Sequence, residues 1–202
     1  SILPELAQQE FGLAAKTAIL SFIVVFGITK AVTNYFAGRL SEAKGRKKIL
    51  VLGWVVALPV PFILMWAPSW TWILAANALL GVSQGFTWST TVIMKIDLVG
   101  PRRRGFAMGL NEAAGYIAVA LSAWATGYVA SRFGLRPAPF ALGAVYAVAG
   151  TLLSGFLVRE TLGHLALEMR SHQGGAAAAL SQKEVFARTT FSDRELSSAT
   201  QA

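Results

Sequence analysis

The chain has 202 residues, 54% of them hydrophobic and only 14% charged, with six Trp, no Cys and a formal net charge of +8. A soluble core needs far less apolar side chain than this, so the composition points to a membrane protein. The lack of cysteine excludes disulfides, thiolate metal sites and a cysteine nucleophile, and the positive charge collects between apolar spans instead of covering one polar face, which argues against a nucleic-acid partner.

Residues 1–16 carry no basic stretch leading into an apolar run and a small-residue cleavage site, so they read as an N-terminal loop and not as a signal peptide. Five apolar segments follow, at about 17–37, 49–67, 70–94, 105–130 and 138–158, each long enough to cross a bilayer as a helix. The predicted fold class is therefore all-α, a polytopic membrane bundle of five transmembrane helices spanning residues 17–163. The first span holds a single charge, Lys30, and the second holds none. Pro59 and Pro61 interrupt the second span and predict a kink, which membranes tolerate where neighbours or water satisfy the freed carbonyls. Trp66, Trp70 and Trp72 surround the turn Ala67-Pro68-Ser69, as expected of a membrane–water interface.

The basic residues alternate between the two ends of these spans. Arg39, Lys44, Arg46, Lys47 and Lys48 fill the first connection, and Lys95, Arg102, Arg103 and Arg104 fill the third. Arg159 begins the tail, while the other side has only Lys16, Arg132 and Arg136. The positive-inside rule places residues 38–48, 95–104 and everything after 159 in the cytoplasm and residues 1–16 outside it. The expected location is the cytoplasmic membrane, with the lipid bilayer as a partner. Residues 164–202 read as a cytoplasmic connector, partly disordered or amphipathic, because Gly174 to Ala179 is low-complexity linker and charges alternate from Gln182 to Glu195.

Gly38-Arg39-Leu40-Ser41-Glu42-Ala43-Lys44-Gly45-Arg46-Lys47-Lys48 resembles the signature loop after the second helix of the major facilitator superfamily. Glu42 stands where aspartate is usual, and Lys44 is displaced by one from the usual basic position. Asp97 with Gly100-Pro101 and Arg103-Arg104-Gly105 is similar to the loop between that family's fourth and fifth helices, and Arg159-Glu160-Thr161 to the acidic cap after its sixth. The resemblance covers residues 3–163. It implies helices two to six of an N-terminal six-helix half, without the first helix and without the C-terminal half. It further implies a fragment of a secondary active transporter that moves a small solute by alternating access, not an enzyme, needing no cofactor, with the second half as its partner. Gly38, Glu42, Gly45, Arg46 and Lys47 would form a conformational-switch loop. Asp97, Arg103, Arg104, Arg159 and Glu160 would form a cytoplasmic charge network. Asn77 lies where many members have arginine, and the fourth span lacks a Gly-Pro pair, both of which weigh against a proton-coupled drug antiporter.

Polar residues inside the spans fall on stripes at helical spacing: Gly27, Lys30, Asn34 and Gly38; Asn77, Gly81, Gln84, Trp88 and Thr91; Glu112, Tyr116 and Ala123; Gly143, Tyr146, Gly150 and Ser154. Such stripes are expected to point into the bundle. At about 1.5 Å per residue, Lys30, Trp88 and Glu112 lie roughly 10 Å deep from one end. The candidate solute or ion pathway is Lys30, Asn34, Asn77, Gln84, Trp88 and Glu112. A charge at such depth costs about 2.5–3.5 kcal/mol on insertion scales, which makes it a functional candidate by default. The competing readings are that Lys30 snorkels to the surface, Asn77 and Gln84 are interhelical glue, Trp88 and Gly81-x-x-x-Gly85 are packing, and the basic loops only set topology. A titrating Glu112 would add proton coupling. No metal-protease, nucleophile-elbow or P-loop pattern is present, so the alternative to a transporter is a non-transporting regulatory or assembly module.

Overall fold

The computed structural model describes residues 2–163, and residues 100–102 in their backbone only. The expected connector at 164–202 lies outside the described residues. Among the described residues the helices are α1 (Leu3–Phe11), α2 (Ala15–Lys44), α3 (Arg46–Ala57), α4 (Pro59–Trp66), α5 (Trp70–Phe133) and α6 (Ala138–Phe156). Residues 1–16, read as a loop, thus include α1, whose Leu6 and Ala7 are fully buried.

The kink expected from Pro59 and Pro61 is the break between α3 and α4. Leu58 keeps right-handed helical angles there, and Pro59 starts α4 where a missing N–H is least costly, so the two helices make a single pass. The connection expected at 38–48 is almost absent. Nothing in the sequence between Gly38 and Lys44 stops helix propagation, so α2 continues to Lys44 and only Gly45, at φ +99°, breaks it.

Two expected spans share α5. The helix doubles back, because Lys95 Nζ donates to Asn111 Oδ1 across a separation of 16 residues that a straight helix would stretch to about 24 Å. Trp88 likewise meets Gly115 of the return arm. Contacts at both ends fix the alternation of the passes. Arg46, Asp97 and Thr161 meet at one end, while Arg136, Ala67 and Glu10 meet at the other.

Among the described residues, four stretches are long and apolar enough to cross a membrane: Ala15–Lys44, Arg46–Trp66, Arg103–Phe133 and Ala138–Phe156. The outgoing arm of α5, the span expected at 70–94, falls below that apolarity. It lies at the centre of the bundle, with Ile73, Ala76, Asn77, Ser83 and Thr90 buried, so helices rather than lipid surround it. The return arm is the reverse. Its most apolar stretch buries none of its residues, and of the stripe expected to point inward Tyr116 is 73% exposed while Glu112 is half-buried. No described helix covers that face.

Glycines set the crossings. A Cβ at Gly85 would lie 2.5 Å from Thr33 Cβ, one at Gly81 would overlap Thr29, and one at Gly53 would lie 2.7 Å from Thr87 Cγ2. Thr29 and Thr33 donate their hydroxyls to carbonyls of their own helix, leaving compact methyl-bearing surfaces for the contact. The packing reading of Gly81-x-x-x-Gly85 therefore matches the α2–α5 crossing. Gly85→Val should cost about 1–3 kcal/mol of overpacking, lowering the unfolding midpoint in detergent by several degrees. Gly127→Ala, which meets nothing within 4 Å, should leave the midpoint unchanged or raise it.

Candidate functional site

The α2–α5 crossing places the polar stripes of the first and third spans against each other. Lys30 Nζ donates to Gln84 Oε1 at 3.0 Å, and the same ammonium lies 5.6 Å from the ring centre of Phe26 and 5.7 Å from that of Trp88. One turn along, Ser89 Oγ donates to Asn34 Oδ1 at 2.8 Å. Asn77, 1% exposed, donates Nδ2 to the Phe22 carbonyl at 2.7 Å and leaves Oδ1 without a partner among the described residues. Asn77 therefore serves as interhelical glue. Lys30 has no carboxylate partner among the described residues; ring faces and an amide oxygen stabilise its charge instead.

Glu112 is half-buried and makes no hydrogen bond or ion pair among the described residues. It sits one turn before Gly115, where a Cβ would lie 2.8 Å from the Trp88 ring. Trp88 thus touches Lys30 on one side and the return arm on the other, and the structure does not pair Lys30 with Glu112.

The second constellation lies at the α2–α3 junction. Arg46, 3% exposed, points Nε at Asp97 Oδ2 (3.0 Å) and Nη1 at Ser41 Oγ (3.0 Å), and Thr161 Oγ1 donates to the same Asp97 oxygen at 3.0 Å. Glu160 closes the cluster from beyond α6. Its carboxylate accepts the backbone N–H groups of Arg46, Lys47, Thr161 and Leu162 at 3.0–3.2 Å. The first two are orphan donors at the N-terminus of α3, where a negative charge is favoured. Burial pushes the Glu160 carboxyl up, but the four N–H donors together outweigh it and hold the group below its ordinary value of 4.5.

Homology adds to this geometry. The pattern that defines the Major Facilitator Superfamily matches residues 1–192. The chain belongs to that superfamily. It is 33% identical over 144 residues to the multidrug resistance protein MdtG of Dickeya zeae (strain Ech586), a match covering 69% of this chain and 34% of that protein. It is 32% identical over 142 residues to MdtG of Salmonella choleraesuis (strain SC-B67), covering 68% and 34%. The chain spans about a third of the length of these relatives. No solved structure matches it.

Within this superfamily member, the residues read from the sequence are sorted unevenly. Arg46, Asp97 and Glu160 come together, and Lys47 joins through its backbone N–H. Glu42, expected in the conformational-switch loop, is exposed and has no ion pair among the described residues; Asp97 takes Arg46. Gly38 contributes its carbonyl to Ser41 Oγ, while a Cβ there would meet nothing within 4 Å. Arg103, Arg104 and Arg159 are exposed and stand outside the cluster. Ser41 and Thr161 escaped the sequence reading as cluster members, because lone hydroxyls beside charged residues carry no spacing signal. A cavity of about 480 Å³ also opens between α3, α4, both arms of α5 and α6, with Trp54, Ser83, Gln84 and Tyr146 on its wall. Gln84 thus borders both this space and Lys30.

A side chain at Gly45 would meet Glu160 Oε2 at 2.7 Å, in backbone angles that favour glycine. Gly45→Leu should therefore destabilise the fold by about 1–3 kcal/mol, seen as a lower unfolding midpoint in detergent with membrane insertion retained. The depressed carboxyl of Glu160 implies that its contribution is fully present at neutral pH and is lost as pH falls below about 4.5 through its folded value. Thermal unfolding between pH 6 and about 3.5 should show this acid loss in the parent chain, and Glu160→Gln should flatten it.

Proposed function

We propose that the chain supplies helices of one half of a secondary active transporter that carries a small solute across the cytoplasmic membrane by alternating access. The observation that carries this reading is Lys30. A cation inside a membrane helix, unpaired with any described carboxylate and held only by Gln84, Phe26 and Trp88, keeps spare donors for a ligand. A solute with an acceptor or anionic group beside an apolar, aromatic body suits that environment. The relatives' names, multidrug resistance protein, support transport of a small solute in this reading.

The Arg46–Asp97–Glu160 cluster supplies the conformational part. It ties the α2–α3 junction, the outgoing arm of α5 and the segment after α6 at a single end, which in this reading is cytoplasmic. Discrete ion pairs and N–H contacts can be exchanged as a unit when a bundle rocks. Alternating access needs an opposing wall, so the partner in this reading is a second six-helix half. Trp88, Asn34 and Glu112 would line the path beside Lys30, with Glu112 as the group able to carry a proton.

The test is reconstitution into liposomes with a fluorescent amphipathic weak acid as solute. The chain alone should show no saturable transport, and the chain with both the first helix and the C-terminal half taken from the Dickeya zeae relative should restore it. In the restored pair Lys30→Ala should cut transport about tenfold or more, as expected for losing a charge-assisted hydrogen bond, and Lys30→Arg should retain part of it. Unchanged transport in Lys30→Ala would remove Lys30 from the pathway, and saturable transport by the chain alone would remove the need for a second half.

A further inference from the structure

The α2 helix and the outgoing arm of α5 run parallel in one register, since Phe22 meets Asn77, Lys30 meets Gln84 and Asn34 meets Ser89 at separations of 55, 54 and 55 residues. The last two contacts each consume the oxygen of an amide. Lys30 Nζ, which can only donate, takes Gln84 Oε1 at 3.0 Å, and Ser89 Oγ donates to Asn34 Oδ1 at 2.8 Å. An amide carries its oxygen and its N–H groups on one planar unit, so pinning the oxygen also fixes where the donors lie. Gln84 Nε2 and Asn34 Nδ2 then donate to nothing among the described residues, and neither is sealed in the interior, Asn34 being exposed and Gln84 half-buried.

We propose that this face is an oxyanion site, which takes a carboxylate or sulfonate on Lys30, Gln84 and Asn34, with Ser89 as the positioning residue that keeps the Asn34 amide in its donor orientation. The inference rests on the transport reading only in calling the ligand a solute. Lys30 and Asn34 are four residues apart on one helix, with Cβ atoms about 5–6 Å from each other. The two oxygens of one anion bridge that span with charge-assisted bonds of about 2.7–2.9 Å. Phe26 and Trp88, at 5.6 and 5.7 Å from Nζ, hold the ammonium by their ring faces without neutralising it, a weaker hold than an anion gives. A cationic ligand meets the opposite situation. The oxygens of Gln84 and Asn34 are taken, Asn77 Oδ1 is enclosed, and Trp88 stands between Lys30 and the return arm that carries Glu112. Without Ser89 the Asn34 amide can turn over and present its oxygen, which repels an oxyanion.

The test reads binding, so its outcome is separate from that of transport. The chain in nanodiscs of zwitterionic phosphatidylcholine is dialysed to equilibrium against naphthoate, methyl naphthoate or naphthylmethylammonium, with empty nanodiscs subtracted. Naphthoate should bind about tenfold or more tighter than either of the others, as expected when charge-assisted hydrogen bonds are made by one ligand alone. Gln84→Glu, whose carboxylate would neutralise Lys30 in place, should abolish that preference. Ser89→Ala should lower the acid-to-ester ratio about threefold or more, and Ser89→Thr, which keeps the hydroxyl, should retain it. Equal binding of the three probes, a preference for the ester or the ammonium, or a preference for naphthoate that survives Gln84→Glu would overturn the oxyanion site. An unchanged ratio in Ser89→Ala, including an equal loss of both ligands, would remove the positioning role of Ser89. Naphthoate preference in a chain whose completed transporter moves no solute would overturn the transport reading and leave the oxyanion site standing; transport without that preference would do the reverse.

Discussion

The contact between α2 and the outgoing arm of α5 is the constraint on which the rest of the structure depends. Gly81 and Gly85 bring the two backbones close enough that a Cβ at either position would collide with Thr29 or Thr33. In lipid, helix association gains little from the hydrophobic effect, and close van der Waals approach with interhelical hydrogen bonds must do most of the work. That approach sets the register of every polar contact across the pair. Asn77 reaches the Phe22 carbonyl, Lys30 reaches Gln84 about two turns further on, and Asn34 meets Ser89 about one turn beyond that, along the same seam. The outgoing arm carries more polar groups than its neighbours because those groups face protein.

The bundle is fastened differently at its two ends. Arg46 is almost wholly buried and its charge is matched by Asp97, with Ser41 and Thr161 filling further donor and acceptor positions. Removing one member of such a buried pair leaves an uncompensated charge, at a cost of about 3–5 kcal/mol. Arg136, at the other end, shares its charge with a carboxylate that solvent reaches and with a backbone carbonyl. The cytoplasmic end in our reading is thus the tighter joint and the α1 end the looser. The return arm of α5, with Tyr116 and Trp124 each more than 70% exposed, presents an apolar surface suited to lipid or to further helices.

Membership of the Major Facilitator Superfamily and similarity to multidrug resistance proteins place these devices in a family context, yet the chain has its own chemistry. Asn77 stands where many members carry arginine, and here it spends its amide on a helix backbone. An arginine at that buried position would need a counter-charge, and none of the described ion pairs supplies one. Among the described residues, the cation of this seam without a carboxylate partner is Lys30, on the facing helix.

The sequence by itself determined the all-helical class, four of the five apolar spans, the kink at Pro59 and the end of the bundle at which charge gathers. Each of these depends on composition along one dimension: apolar length, a missing N–H, or a count of Lys and Arg. It also marked Arg46, Asp97 and Glu160 as charges worth watching. Which of them pair was decided by tertiary structure alone. Glu42 is the acid nearest Arg46 in sequence, but the break at Gly45 leaves it facing outward, and Asp97, 51 residues away, arrives by the path of α5. The same holds for Lys30 and Glu112, whose similar depth is read from spacing while their lateral separation by Trp88 is not. Depth follows from rise per residue, which is local; azimuth and neighbour identity follow from which helices touch, and glycine contacts far apart in the chain decide that.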